Sequence, residues 1–556
     1  MMGYNNFNRL RFKIMKKVDP ALNARCLEEY EASGIQEYPM GSKILVFVEN
    51  DDHDPMRIVQ RCIEDSEDFE TVKAEIETNL MGKGVQHAVA QVITNSRLKI
   101  TPDDYLANKM DEAERLYNYL RSHQEQAVFL NTAQLGKIDL IADEKTIDAL
   151  IQVGRSSAQQ ENDKIAALNM RAGGGIQTAF IDSETRGGNI KLSMGSGGSK
   201  GAAQIGYISE SQSLGTYQHP AEIHGCSTGA LNGALLSAGV TPDEVIHLLK
   251  SGALKGISKT NPVKNRMIFS EKIRGLMNAS VLMHLLLIKE IITKEDYELY
   301  RPQLIEAILT RAVTPDQSEQ SFFKSLFHGG ATALDATKDQ SGPGELNLLT
   351  YHREEAPSID DLFENLASCL GEGYAFPQGD SLAQLAEHLS CEVDIDFGEL
   401  KALQLEYPEI FSRLCCISID QDAHGYISSA ETNPSEPVTY AVMNSASIPF
   451  AFQTGKGVEG EERFDGGFKY LNPTMMQSMH LEKSSHLDQT KDTGLTQVVP
   501  AESLRGSLVE KGSPPQSAPE FSPPASPSDE TVANRSSNLM GDETEPTSGS
   551  APKKSK

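Results

Sequence analysis

Two stretches between residues 189 and 239 follow one pattern. Ile190, Leu192 and Met194 alternate with Lys191 and Ser193, the two-residue period of a strand. The run Gly195-Ser196-Gly197-Gly198-Ser199-Lys200-Gly201 then opens an apolar helix, Ala202–Ile208. Further on, Ala221-Glu222-Ile223-His224 predicts a second strand, Gly225-Cys226-Ser227-Thr228-Gly229 a second sharp turn, and Ala230–Leu236 a second helix. Leu414–Asp420 is a continuous apolar strand of the doubly covered type, and Lys43–Val48 is a shorter strand candidate. Thr101-Pro102-Asp103-Asp104 and Thr241-Pro242-Asp243-Glu244 are helix starts, with Thr as the cap and Pro at the first turn. Val281–Ile288 is the most apolar run of the chain, which favours buried core over a lid or a lipid-facing surface. Thr439-Tyr440-Ala441-Val442 begins a helix that runs towards a stop at Pro449.

The pattern changes beyond about residue 485. Ser513-Pro514-Pro515, Ser522-Pro523-Pro524 and Ser526-Pro527-Ser528 belong to a segment with too little apolar surface to offset its ordering entropy, so a disordered tail is expected. Gly173-Gly174-Gly175 reads as a linker, and the polar, glycine-bearing stretch from Asp335 to Gly344 as a mobile loop.

Composition narrows the class. A chain of 556 residues with 39% hydrophobic content is long enough for two or three domains with proper cores. A formal net charge of −27 argues against nucleic acid and against long-range attraction to anionic membranes, so contact with lipid should be local and apolar. The seven cysteines have no metal-ligand spacing and read as reduced thiols of a cytosolic chain. No secretory signal and no run of membrane-spanning length is expected.

The chemistry concentrates in the two turns. Ser227 sits where strand gives way to helix, the geometry of a nucleophile elbow, with Gly225 and Gly229 where a Cβ would clash. The helix dipole there favours developing negative charge. Glycine N–H groups of the first turn can hold an oxyanion, a role whose loss typically costs about 10²–10³ in rate. The rival phosphate-loop reading wants Ser or Thr after the lysine, whereas Lys200 is followed by Gly201. Cys226 fills the variable position of the elbow and reads as a small packed residue, and His247 as a helix-surface residue.

Two later strings complete the set: Asn444-Ser445-Ala446-Ser447-Ile448-Pro449 and Arg463-Phe464-Asp465-Gly466-Gly467. With them the chain resembles the patatin-like phospholipases, whose pattern is a glycine-rich loop ending in a basic residue and glycine, a Gly-x-Ser-x-Gly elbow, a helix ending Ser-x-x-x-Pro, and Asp-Gly-Gly or Asp-Gly-Ala. The four strings occur in order over roughly residues 185–480. Ser196 stands where the family has its first loop glycine, although Gly195 precedes it.

The resemblance implies a three-layer α/β fold with a mainly parallel central sheet over residues 175–485, within which the stretch from 255 to about 395, too long for a simple crossover, reads as a largely helical insertion. Residues 1–165 are then a mainly helical accessory region and 486–556 the tail. It implies Ser227 as nucleophile and Asp465 as its partner in a Ser-Asp dyad that needs neither histidine, cofactor nor metal. Ser196, Gly197 and Gly198 become the oxyanion loop, and Lys200, Gly201, Gly225, Gly229, Gly466 and Gly467 motif residues. The expected activity is hydrolysis of fatty-acyl esters of phospholipids or related lipids at a membrane or micelle surface, with no nucleic-acid partner. A cytoplasmic, membrane-peripheral location is expected. Some bacterial members are secreted effectors, which leaves export, and with it a protein activator, open. Two alternatives stand beside this reading: an α/β-hydrolase triad using His480 or His486, and a non-catalytic lipid-binding or scaffold protein.

Overall fold

The computed structural model describes residues 38, 41–49, 54–83, 87–132, 142–171, 190–251, 261–312, 357–457, 461–470 and 472–473. They lie in the unit Met1–Asp492. The glycine run 173–175, the stretch 335–344, His480, His486 and the tail lie outside the described residues.

Strands β1 (Lys43–Val48), β2 (Ala127–Asn131), β3 (Lys191–Met194), β4 (Glu222–Cys226), β5 (Arg413–Ile419), β6 (Gly425–Ser429), β7 (Gly455–Lys456) and β8 (Glu462–Asp465) form one mixed sheet. Its order is β2-β1-β3-β4-β5-β8-β7, with β6 also on β5. The first five strands run parallel, while β6, β7 and β8 pair antiparallel.

The helices that flank the sheet are, in chain order, α1 (Pro55–Glu64), α2 (Phe69–Lys83), α3 (His87–Asn95), α4 (Pro102–Leu120), α5 (Glu144–Arg171), α6 (Gly201–Ser213), α7 (Thr228–Ser237), α8 (Pro242–Lys250) and α9 (Pro262–Ile288), followed by α10 (Lys294–Thr310), α11 (Ile359–Ala367), α12 (Asp380–Cys391), α13 (Phe397–Glu406) and α14 (Val438–Ser445). The expected caps form: Thr101 and Thr241 each close a capping box, with Asp104 and Glu244 as the reciprocal carboxylates.

Alternation along the strands assigns the faces. Leu45, Leu192, Met194, Ile223, Leu414 and Cys416 share one core with α5, α6, α7 and α9. On the other face Ile44, Val46 and Val48 pack against α1 and α4, and Cys415, Ile417 and Ile419 against Leu98, Phe464 and Tyr470. The result is the three-layer α/β arrangement.

The sheet begins well before residue 175. The mainly helical first region contributes β1 and β2, and β1 lies between β2 and β3. The reason is in its composition: Ile44, Val46 and Val48 are buried on one side and Leu45 on the other, so β1 needs cover on both faces, which an interior position supplies.

Helix α9 is likewise central. It packs against α7, α10, α12 and α14. Val281, Leu282, Met283, Leu285 and Leu286 are fully buried, so the most apolar run of the chain is core and not a lipid-facing surface. The helix also carries buried donors aimed at the carbonyl ends of neighbouring helices. Lys272 Nζ donates to Ile308 O, Leu309 O and Arg311 O at the end of α10, and Asn278 Nδ2 to Leu389 O and Val393 O at the end of α12. Ile308, Leu309 and Leu389 lie in the last turns of their helices and Arg311 and Val393 just beyond, where carbonyls lack the donor of a following helical turn, so each bond satisfies a group that burial would otherwise leave orphaned. No described helix is long and apolar enough to cross a membrane.

Leu286→Ser should therefore destabilise the fold by about 3–5 kcal/mol, through a lost apolar contact and a buried hydroxyl. Thermal melts of the variant against wild type check the loss.

Candidate active site

The two glycine turns meet because their strands are parallel neighbours. Met194, the last residue of β3, pairs with Gly225 near the end of β4, so both chains turn at the same sheet edge. Ligands of open α/β sheets bind outside these carboxyl ends. Ser227 forms the turn after β4 with φ 55°, a left-handed conformation that a residue with a Cβ rarely adopts. It becomes the N-cap of α7. A Cβ on Gly225 would lie 2.4 Å from Ala230 Cα, and one on Gly229 2.0 Å from Met194 O, so both glycines are needed for the turn to close.

The strand register explains how Asp465 arrives. Along β5, β6 occupies one edge from Cys415 to Ile419. The other edge is shared: β4 pairs as far as Cys226 with Ile417, and β8 takes over with Asp465 opposite Ser418. Strands β4 and β8 therefore run towards each other along a single edge. They end head to head, with Cys226 and Asp465 on successive residues of β5. A Cβ on Gly466 would come within 2.5 Å of Ile417 O and 3.0 Å of Cys226 Sγ, which is why a glycine must follow Asp465.

At this junction Ser227 Oγ donates to Asp465 Oδ2 at 2.5 Å, and both residues are 2% exposed. Asp465 Oδ1 accepts the Gly467 N–H at 2.7 Å. Burial raises the Asp465 carboxyl to about 7, against the lowering effect of its bonds from Ser227 and Gly467. Gly467 lies against Ser196, which brings the glycine loop to the far side of the carboxylate.

Within that loop Gly197 has φ −172° and Gly198 φ +56°, and Lys200 N donates back to Gly197 O at 3.1 Å. Among the described residues no acceptor receives the N–H of Gly197 or Gly198. The Lys200 side chain is buried and turns away to bond Glu49, just past the end of β1. The base of the loop is tied to α7: Asn232 Nδ2 donates to Gly201 O at 3.0 Å and to Gln204 Oε1 at 3.1 Å, and Gln204 Nε2 donates to Gly195 O at 3.0 Å.

Cys226 is fully buried, with its thiol donating to Tyr470 O at 3.1 Å; burial and then the nearby Asp465 push its pKa up, so it is packing and not a nucleophile. Among the described residues no histidine bonds Ser227 or Asp465. Ser368, His388 and Glu392 line up as a triad would, with His388 Nε2 3.0 Å from Ser368 Oγ and Nδ1 3.0 Å from Glu392 Oε2. Burial opposes protonation there, but the bonds of His388 to Cys369, Asn365 O and Glu392, with the ring as donor to both oxygens, outweigh it and raise His388 to about 9. An imidazolium cannot take a proton from serine, and Ser368 follows helix α11 instead of sitting on an elbow. Among the described residues no group of three or more His, Cys, Asp or Glu side chains is placed to hold a metal ion.

Sequence reasoning missed Glu49, Gln204, Asn232 and Arg266 around this site. Glu49, Asn232 and Arg266 act across long chain separations, Gln204 reaches back within its own loop and helix, and none carries a local motif. Ser445 and Ser447 were visible only as part of a helix-ending string.

The fold and site define an α/β protein with a serine on a strained strand-to-helix elbow, bonded to a buried aspartate. Residues 192–476, just over half of the chain, match the model of the patatin-like phospholipases, and the chain belongs to that family. The match spans the glycine loop, the elbow and the Asp-Gly-Gly string. No curated protein matches the chain. Among solved structures, the crystal structure of VipD from Legionella pneumophila is similar over 50% of this chain and 45% of that one, with 17% identity and a TM-score of 0.27.

The raised Asp465 carboxyl has a stability consequence. Its folded pKa of about 7 exceeds the unfolded value near ~3.9, so the folded state holds its proton more tightly, and stability falls as pH rises through that window. Asp465→Asn removes the charge, so the melting temperature of the variant relative to wild type should rise between about pH 4 and pH 8. Melts across that range check the sign.

Proposed function

We propose that the protein is a serine acyl hydrolase that cleaves fatty-acyl esters of phospholipids or related lipids with a Ser227–Asp465 dyad. The observation that carries this reading is the buried hydrogen bond from Ser227 Oγ to Asp465 Oδ2. In this mechanism Asp465 takes the hydroxyl proton as Ser227 Oγ attacks the ester carbonyl. The oxyanion of the tetrahedral intermediate is received by N–H groups of the 196–198 loop, supported by the N-terminus of α7. Collapse expels the alcohol, protonated by the same carboxyl group, and leaves an acyl-serine. Water, deprotonated by Asp465, hydrolyses that ester and restores Ser227.

A carboxylate of ordinary pKa is a weak base towards serine. Desolvation, which lifts Asp465 to about 7, brings it into the range where a general base is effective at neutral pH. The triad and scaffold alternatives are less well supported. Among the described residues the dyad is bonded without a histidine, and a scaffold has no need of a buried carboxylate on a strained serine.

A fluorophosphonate probe should label the wild-type protein and not Ser227→Ala, and Asp465→Asn should lower turnover nearly as far as Ser227→Ala, because the two act as one unit. Activity on a soluble ester should rise with pH through about 7, losing roughly tenfold per unit below it. Substrate class is resolved by a panel of phospholipids, lysolipids, galactolipids and triglycerides, with and without eukaryotic lysate, the lysate arm testing for an activator. Wild-type protein unlabelled by the probe and inert on every ester in both arms would sink the catalytic reading.

A further inference from the structure

The backbones of Ser227 and Asp465 are both tied to one three-residue segment. Ser227 N donates to Ser445 Oγ at 3.0 Å, and Ser445 Oγ donates onward to Ile417 O at 2.5 Å. Asp465 N donates to Ser447 O at 3.1 Å. The two residues of the dyad, 238 positions apart in the chain, thus hang from residues two apart. A segment this short spans at most about 7 Å between those two anchors, so it limits how far the two strand ends can separate.

A single arginine holds the segment. Arg266, in the first turns of α9 and 4% exposed, donates through Nη1 to Ser447 Oγ at 2.8 Å, Gln453 O at 3.1 Å and Met443 O at 3.2 Å. Its Nη2 donates to Asn444 Oδ1 at 2.8 Å. Ser447 Oγ in turn donates to Met443 O at 2.6 Å. The adjacent Asn265 Nδ2 reaches Ala451 O at 2.7 Å, and Gln453 N donates to Pro262 O at 3.2 Å, so the loop after α14 wraps the start of α9.

Among the described residues Arg266 makes no ion pair. Its charge is met by the carbonyl end of α14 and by the Tyr440 ring, 5.4 Å away. Burying a guanidinium without a carboxylate is costly unless its donors are well placed. Here the four bonds all go to residues 443–453. They bear directly on the loop that carries Ser445 and Ser447 and involve no other part of the molecule.

We propose that Ser445–Ser447, clamped by Arg266, is the bracket that sets the Ser227–Asp465 contact, and that Ser445 and Arg266 are positioning residues for the reaction. The proposal rests on the Ser-Asp reading above and adds what holds that dyad in register. Ser445 also supplies the acceptor for the N–H of a residue in a strained backbone conformation, stabilising a turn that would otherwise relax. Neither Ser445 nor Arg266 is among the groups that set the proton affinity of Asp465, which are burial, Ser227 and Gly467.

The test uses the full chain, with Ser445→Ala, Arg266→Lys and Arg266→Met compared with wild type on a soluble short-chain ester from about pH 5 to 9. Exhaustive fluorophosphonate labelling counts competent sites, and melts report folding. Per labelled site, Ser445→Ala should lose about 10–100-fold in kcat with KM held within about twofold, because misplacement acts on the reacting geometry and not on binding. The acidic limb of the pH profile should stay where it is in wild type. Arg266→Lys, which keeps a buried cationic donor, should retain more kcat than Arg266→Met. Wild-type kcat per site in Ser445→Ala, or a loss confined to KM or to the number of labelled sites, overturns the bracket. If Arg266→Met does not fold, Ser445→Ala and Arg266→Lys decide. Absence of labelling in wild type counts against the catalytic reading instead, while labelled wild type with an unimpaired Ser445→Ala counts against the bracket alone.

Discussion

The head-to-head ending of β4 and β8 on one edge of β5 is the constraint on which the rest of the site depends. A strand has two hydrogen-bonding edges, and β6 fills one of them along Cys415–Ile419. The other edge must serve both β4, arriving parallel, and β8, arriving antiparallel. Their ends abut at Ile417 and Ser418, so the residues that leave the sheet there, Ser227 and Gly466, emerge side by side. Pairing register thus brings serine and aspartate to the same place, and the bonds from both backbones to the Ser445–Ser447 segment act on the contact made there. A one-residue slip of β8 would turn Asp465 to the opposite face of the sheet.

That geometry carries an electrostatic burden. Asp465 is enclosed with two hydrogen bonds and no cation bonded to it among the described residues, so burial lifts its pKa to about 7. The same desolvation destabilises the folded state at neutral pH and, in the proposed mechanism, suits the carboxylate to act as base. Lys200, the basic residue of the loop, does not relieve it, because its ammonium is spent on Glu49 beneath the turn. Structural compensation comes from elsewhere in the molecule, where the long interior helix α9 satisfies buried carbonyls at the ends of α10, α12 and α14. An interior helix with polar side chains at intervals would be a liability if those donors lacked acceptors. Here each bond also fixes the distance between two helices, which makes α9 a strut for the layer above the sheet.

What the sequence determined by itself is the local chemistry. Gly225, Ser227 and Gly229 could be read as an elbow because the steric demands of that turn act within five residues. The glycine loop, the caps at Thr101 and Thr241, and the buried character of Val281–Ile288 were legible for the same reason: helix and turn signals are short-range. Asp465 was legible only with the help of a family pattern, since nothing within its own string says which serine it meets. Tertiary structure decided the rest. It placed β1 of the supposed accessory region inside the sheet, made α9 of the helical stretch 255–395 an interior strut, and paired Lys200 with Glu49. It also recruited Asn232 and Arg266, neither of which has a signal in its local sequence, and gave Ser445 and Ser447, legible only as part of a helix-ending string, their partners at Ser227 and Asp465. Strand order, register and the partners of buried donors depend on contacts between residues tens to hundreds of positions apart, and periodicity along the chain carries no record of which edge a strand will find.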